Sequence, residues 1–417
     1  MTVLIAGAGI GGLTTALMLH ARGIKARLVE QSSEVREVGV GINTLPHSIA
    51  ELAELGLLKE LDKVGLRTRE LRYLTRHGQE VWRELRGLHA GHSHPQFSIH
   101  RGRLQGVLYR AVIDRLGPEA VMTGYRLSGF VQDEAGVTAQ FSDARDGLSS
   151  RTLRAEVLVC ADGIHSVGRR RFFPDEGRPS WAGVVMWRGA TEWPVWEDGQ
   201  TMVIAGGLGA KLVLYPIAPV KDGKQLMNWV VNVRMADGAT QPPPEDNWSK
   251  RAPLAKVLPY AKRFVVPGMD IEALVRASAD IFEYPMADRD PLPRWTHGRV
   301  TLLGDAAHPM YPVGSNGAAQ AILDARCLAD CMARAEHPRE ALYRYEQERL
   351  PKTAEVVRTN RIGGPERVID EVEKITAQKF KNIDKVLSYK KREAIVKGYA
   401  QMAGFAAGKD RAKGRKS

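Results

Sequence analysis

The stretch VLIAGAGIGGL, residues 3–13, decides the fold. A short apolar run reads as a buried strand, GAGIGG fits the pattern GxGxxG, and the apolar positions that follow predict a helix over residues 13–21. Gly7 permits the tight turn, Gly9 lets backbone approach a pyrophosphate, and Gly12 allows the helix to pack closely on the strand. Gly23 ends the helix and a second strand is predicted at residues 26–30, which completes one βαβ unit. Glu30 stands at the end of that strand, where a carboxylate accepts hydrogen bonds from a ribose and disfavours a 2′-phosphate. With the first helical amides aimed at phosphate, this combination predicts a dinucleotide site.

Outward from this unit, a second helix is predicted at residues 46–55. Strand-like alternation over 71–81 is closed by the turn His77-Gly78, a helical period spans 101–116, and a strand at 156–160 ends in Ala161-Asp162-Gly163. Residues 181–233 change character: VVMWRG, KLVLYPI and MNWVVNVR read as a separate antiparallel sheet. Residues 241–246, with three prolines, read as a loop; a strand at 300–303 restores the parallel character, and the chain is then helical to about residue 400. The expected fold is α/β: a Rossmann-like domain interrupted by a mostly antiparallel β-sheet substrate domain, with a C-terminal helical region. The expected division is residues 1–72, 97–180 and 270–345 for the nucleotide domain, 73–96 and 181–269 for the substrate domain, and 346–417 for the rest.

LLGDAAHPMYPVGSNGAAQ, residues 302–320, asks for a second ligand-contacting segment. Gly304-Asp305 ends a strand, where a carboxylate can reach a polyol chain at the sheet edge. The loop 309–314 then turns into a helix whose first residues, 314–318, are too small to block a flat ring. Such a helix start sets positive partial charge against the C2=O of an isoalloxazine and stabilises its reduced anion. FAD is therefore expected rather than a resident NAD. No second GxGxxG occurs, since GGLGAK from Gly206 lacks the spacing, so NADH or NADPH is expected only as a transient co-substrate.

The remaining composition sets bounds. A length of 417 residues exceeds one ordinary core, and 44% hydrophobic residues without any run near the ~20 that a membrane helix needs describe a globular chain with no membrane partner. Met1 leads straight into a strand without a signal-peptide pattern, which predicts the cytoplasm. Cys160, Cys327 and Cys331 show no metal-ligand spacing, so no metal is expected. Of the net charge of +12, residues 361–417 carry +8, from 15 Lys/Arg against 7 Asp/Glu. The body is only mildly basic and lacks a nucleic-acid module, so the basic segment reads as a solvated helical region accessory to activity. A monomer or homodimer is expected.

Five motifs in order then resemble the single-component FAD-dependent aromatic hydroxylases, the para-hydroxybenzoate hydroxylase class. They are Gly7, Gly9, Gly12 with Glu30; Arg36 with Gly39 and Gly41 in REVGVGI; Arg101 with Gln105 in HRGRLQ; Asp162-Gly163 with Ser166 and Arg169 in ADGIHSVGR; and Gly304-Asp305 with Pro312 in GDAAHPMYP. Within the class the likeness is greatest to the hydroxylases of methylphenazine carboxylates. The resemblance implies that Arg36 and Arg101 face the adenosine and ribityl-pyrophosphate side of FAD with Gln105 nearby, and that Asp305 holds the ribityl hydroxyls. It implies that Asp162 belongs to a fingerprint for FAD and NAD(P)H handling, that Gly41 is a cofactor contact, and that Pro312, Gly314, Asn316 and Gly317 lie along the flavin. Asp162 as a turn former with Arg169 as its ion-pair partner is the structural alternative. His308 is expected to serve packing or the helix start more than acid–base chemistry. This sequence departs from the family pattern at Cys160, where a small residue is usual, and at Val167-Gly168, where a larger apolar residue is usual second.

The activity implied is hydroxylation of a small aromatic molecule bearing a carboxylate or hydroxyl. NAD(P)H and O2 are consumed through a flavin C4a-hydroperoxide, and CO2 is lost where the attacked carbon carries a carboxylate. Another FAD-dependent oxidoreductase on the same scaffold, an epoxidase, oxidase or reductase, is the alternative. Trp187, Tyr215 and Trp229 either line the aromatic pocket or fill the sheet core, and Arg188 either anchors a substrate carboxylate or pairs with a protein one.

Overall fold

The computed structural model describes residues 1–34, 39–147, 149–236, 250–376 and 378–402. The loop expected at 241–246 and the position of Arg36 lie outside the described residues.

Thr2–Ala6 is the centre of a five-stranded parallel sheet in the order Val300–Leu302, Val157–Cys160, Thr2–Ala6, Lys25–Glu30, Val121–Thr123. Its inner strands are apolar on both faces, as a sheet covered by helices on both sides requires: all four residues of Val157–Cys160 are buried. The helix Ile10–His20 covers one side and begins three residues before the apolar pattern suggests. Gly11 and Gly12 hide that start because glycine is a poor helix former. The helix Arg101–Leu116 matches expectation residue for residue. Its Leu104, Val107, Leu108, Ala111 and Val112 fall on one stripe, and all are buried.

The second layer is a seven-stranded sheet in the order Phe282–Asp288, Ser180–Pro194, Lys224–Arg234, Ala210–Pro216, Thr201–Ala205, Glu70–Leu74, Glu80–Leu85. It is antiparallel except where Thr201–Ala205 runs parallel to Glu70–Leu74. Period-two alternation gives its long strands two different faces. Trp187, Leu212, Leu214, Trp229 and Val231 pack into one core with helices Leu254–Ala261 and Ile271–Arg276. The intervening residues face the other way, toward the helices that follow residue 315. Arg367–Ile375 and Tyr389–Met402 cover that face, while Asn316–Arg334 and the start of Pro338–Ile362 pack with Ile10–His20 in the core of the parallel sheet. No helix of the described residues is long and apolar enough to cross a membrane.

Candidate active site

Three motifs separated by about 150 residues each meet at one edge of the parallel sheet. The register pairs Ala6 with Cys160 and Cys160 with Leu302, so Gly7, Ala161-Asp162 and Gly304-Asp305 all follow the carboxyl ends of adjacent strands. Backbone bonds continue past the strands: Gly7 N–H donates to Val29 O at 2.7 Å, Ala161 N–H to Ala6 O at 2.8 Å, and Leu303 N–H to Cys160 O at 2.9 Å. Open α/β sheets bind ligands beyond their carboxyl edges.

The glycines of the first turn do different things. Gly7 has φ +105°, and a Cβ on it would sit 2.4 Å from Ala161 O; a Cβ on Gly12 would sit 2.0 Å from Gly7 O. Both are therefore required by the protein itself. Gly9 is not: its backbone is extended, and a Cβ there would meet no protein atom within 4 Å. It caps the helix Ile10–His20 without a side-chain acceptor, and no acidic residue stands in the first turn. The leading amides thus face open space. Glu30 braces this turn, accepting from Ala8 N–H at 2.7 Å and Ser32 N–H at 2.9 Å, and Gln105 Nε2 donates to Ala8 O at 2.8 Å.

Asp162 accepts from Val167 N–H at 2.7 Å through Oδ2, at the start of the helix Val167–Phe172 that Ser166 caps, while its Oδ1 is buried without a partner; burial raises the carboxyl pKa. Arg169 is not paired with Asp162. It is 1% exposed, bonds the Glu176 carboxylate, and donates to Ala307 O at 2.8 Å and Ala306 O at 3.2 Å, tying this motif to the Gly304-Asp305 loop. The two departures from the family pattern are one adaptation: a Cβ on Gly168 would lie 2.4 Å from Cys160 Sγ, so the thiol occupies the volume that a larger residue at 168 would fill.

Asp305 is solvent-accessible, yet surrounding protein desolvates it and raises its pKa, with the positive charge of Arg101 acting in the opposite sense. Arg101 is itself exposed at the start of its helix. Beneath Asp305, His308 Nε2 lies 2.5 Å from Asp324 Oδ2, Arg349 Nε donates to Asp324 Oδ1 at 2.7 Å, and Asp324 also accepts from Gly304 N–H at 3.2 Å. His308 is thus a buried structural member with Asp324; burial pushes the Asp324 carboxyl up, and His308 and Arg349 together outweigh it and hold the pKa down.

The loop then turns through Gly314 at φ +62° and Ser315 at φ +60° into the helix Asn316–Arg334. Ser315 adopts a conformation uncommon for a non-glycine residue and its side chain does not cap the helix, so this second helix start is also uncapped. A Cβ on Gly317 would meet nothing within 4 Å. A cavity of about 130 Å³ opens between Pro312, Val313, Gly314 and Ser315 on one side and the seven-stranded sheet on the other. Met186, Arg188, Val213, Tyr215, Val230 and Asn232 are among its lining residues.

Of the four residues expected at the substrate, two line this cavity and two do not. Arg188 and Tyr215 do, and both donate to Gly41 O, at 2.6 and 2.8 Å. Trp187 and Trp229 are fully buried on the opposite face, where their indole N–H groups donate to Glu283 at 2.7 Å and Ser278 at 2.8 Å. Strand parity decides between the two readings: Met186 and Arg188 face the cavity, so Trp187 fills the sheet core. Sequence pattern does not reveal three groups in the wall. Glu84 accepts from Arg86 at 2.6 Å and from Tyr73 Oη at 3.0 Å, Lys211 pairs with Glu366, and Tyr399 enters from the last helix. Glu366 and Tyr399 stand in the segment whose charge marks it as accessory. A helically spaced stripe at Arg392, Val396 and Tyr399 marks the face that turns inward.

FAD fits these residues. Gly9 and Gly317 leave space that no protein atom uses, both helix starts lack caps, Asp162 keeps an orphan acceptor, and Asp305 keeps an accessible carboxylate inside the molecule. Comparison with known proteins agrees. The profile of the FAD binding domain family matches residues 1–360. Over 363 residues the chain is 46% identical to the phenazine 1,6-dicarboxylic acid hydroxylase PhzS of Lysobacter antibioticus, covering 86% of this chain and 89% of that protein. It is 30% identical over 371 residues to the 3-amino-4-hydroxybenzoate 2-monooxygenase of Streptomyces cremeus, covering 86% of each. Klebsiella pneumoniae HpxO, solved with FAD and uric acid, has the same fold with a TM-score of 0.73 at 24% identity, covering 97% of this chain and 96% of that one. The chain belongs to the FAD binding domain family and, within it, to the FAD-dependent aromatic monooxygenases.

Proposed function

We propose that this monooxygenase hydroxylates a flat aromatic carboxylate of the phenazine type, held by Arg188 in the cavity beside Pro312–Ser315. One observation carries this reading. The cavity wall holds three cations, and two are matched by carboxylates: Arg86 by Glu84 and Lys211 by Glu366. Arg188 has no carboxylate partner among the described residues, and its Nε is buried without an acceptor. A wall with one unmatched guanidinium takes a monoanion, and a guanidinium fork suits a carboxylate. The relative of Lysobacter antibioticus is named for an acid of this class.

The chemistry that FAD supplies when bound is hydride acceptance from NADH or NADPH, then activation of O2 so that one oxygen atom passes to an electron-rich ring. The chain's own task is to bind, orient and keep dry. In this reading Gly7, Gly9 and Gly12 admit the pyrophosphate, Glu30 accepts from the ribose, and Arg101 and Gln105 flank them. Asp162 lends its free oxygen as an acceptor, and Gly304 and Asp305 take the ribityl chain. Gly41, Pro312, Gly314, Asn316 and Gly317 border the ring. Met186, Val213, Val230 and Val313 exclude water from the reacting face. Residues 1–72, 97–180 and 270–345 would then serve the cofactor, and 73–96 with 181–269 the substrate. Three free cysteines and a need for NAD(P)H support a cytoplasmic setting.

Purified protein should be yellow, and NAD(P)H oxidation should accelerate on adding phenazine carboxylates. The product mass should show one added oxygen, or hydroxyl in place of carboxyl. Colourless protein after FAD supplementation, or accelerated oxidation without an oxygenated product, would refute the reading. Asp305→Ala should fold normally and raise the FAD dissociation constant on the order of tenfold, the loss of a charge-assisted hydrogen bond. Unchanged FAD affinity would remove Asp305 from the site.

A further inference from the structure

The last helix, Tyr389–Met402, is fastened at its start and used at its end. Arg392 is 5% exposed and donates to Val81 O at 2.7 Å and Leu387 O at 2.9 Å, while Trp82 and Tyr389 meet with ring centroids 5.0 Å apart. Two turns on, Val396 and Tyr399, each 4% exposed, line the cavity. The Tyr399 hydroxyl is a hub. It donates to Asn360 Oδ1 at 2.9 Å and accepts from Asn316 Nδ2 at 3.1 Å, and Asn360 Nδ2 donates to Tyr311 O at 3.1 Å. The chain Asn316–Tyr399–Asn360–Tyr311 therefore grips both ends of the turn that contains Gly314 and Ser315. The hydroxyl also stands 2.0 Å from where a Cβ on Gly314 would be, so it fills the hollow behind that turn.

We propose that Tyr399 is a positioning residue of the active site: through Asn316 and Asn360 it holds the left-handed Gly314-Ser315 turn, and with Val396 it makes the C-terminal helix a wall of the reaction cavity. Two consecutive left-handed residues, one of them not glycine, persist only where surrounding structure over-determines them. The hub supplies that constraint from two separate helices, so the segment after residue 365 is a component of the site. The reading of the turn as flavin-bordering is the one given above, and the inference rests on it.

The test uses the full-length, FAD-loaded protein with Tyr399→Phe, Tyr399→Ala and, as control, Lys397→Ala on the exposed side of the same helix. Tyr399→Phe keeps the ring, strands Asn360 Oδ1 and leaves Asn316 Nδ2 only its longer bond to Val313 O at 3.5 Å. Deuterium uptake by peptides covering 311–317 should then rise on the order of tenfold in rate, the cost of one buried hydrogen-bonding group left unmatched. The fraction of consumed NAD(P)H recovered as hydrogen peroxide should rise in parallel, with Lys397→Ala matching the parent in both. Faster uptake confined to 389–402, with 311–317 unchanged, would mean that Tyr399 only docks its own helix and would overturn the proposal. Should Tyr399→Ala fail to fold, Tyr399→Phe alone decides. A parent protein that binds no FAD refutes the proposed function instead, and the uptake comparison on the apoprotein still reports whether Tyr399 holds the turn.

Discussion

Gly9→Val is expected to fold with nearly the parent's stability and to bind FAD at least about a hundredfold more weakly, roughly 2.7 kcal/mol. Neighbours in this one short turn differ in what a side chain would meet. Gly9 has φ −74° and ψ −176°, which any residue adopts, and no protein atom lies within 4 Å of its missing Cβ. Valine there adds only the loss of a tolerant helix cap, about 1 kcal/mol. Gly12→Ala is the opposite case. In most helices that change stabilises by roughly 0.5–1 kcal/mol, but here the new Cβ would fall 2.0 Å from Gly7 O, a backbone atom that cannot swing away. It should lower the melting temperature and FAD affinity together. Gly11→Ala meets only side chains, Leu303 at 2.8 Å and Ala321 at 3.4 Å, and should cost less than Gly12→Ala. Thermal unfolding of the apoproteins and fluorescence titration with FAD separate the three. Gly9→Val binding FAD like the parent would show that the open space above this turn holds something else.

The same contrast explains which parts of the fold and site are legible in the amino-acid sequence. Motifs that act through backbone, such as the turn at Gly7 and the strand ends at Asp162 and Asp305, declare themselves in sequence because few residues satisfy their geometry. Parallel strands then bring them together with no further information than their order. The cavity wall is different. Its residues come from strands whose alternating faces are equally apolar, so Trp187 and Tyr215 look alike until parity is fixed, and parity depends on where each strand is anchored. Lys211 and Glu366 look like solvated charges, because an ion pair formed across more than a hundred residues leaves no local pattern. Tyr399 is hidden by the lysines around it, which occupy the exposed faces of the same helix. The basic composition of that segment describes its surface and says nothing of the one stripe that faces inward.

Arg188→Met tests the charge balance of the wall. Methionine keeps the length and apolar stem of the side chain, so the lost element is the guanidinium. The protein should tolerate the change: the bond from Arg188 to Gly41 O goes, about 1 kcal/mol, while Tyr215 continues to donate to the same carbonyl at 2.8 Å. A bound carboxylate would instead be left in a cavity whose remaining charges, Arg86 with Glu84 and Lys211 with Glu366, cancel. Removing one partner of such a desolvated pair costs about 2–5 kcal/mol, so the dissociation constant of an aromatic carboxylate should rise roughly thirtyfold or more. A neutral analogue, the corresponding amide, should change by about tenfold or less. Arg188→Lys restores charge without the fork and should fall between the two. Affinity in the parent should be flat with pH until the ligand's own carboxyl protonates near about pH 4. Arg188→Met should flatten that acid limb as well. If acid and amide weaken equally in Arg188→Met, the guanidinium is holding the Gly41 strand and the cavity recognises its ligand by shape alone.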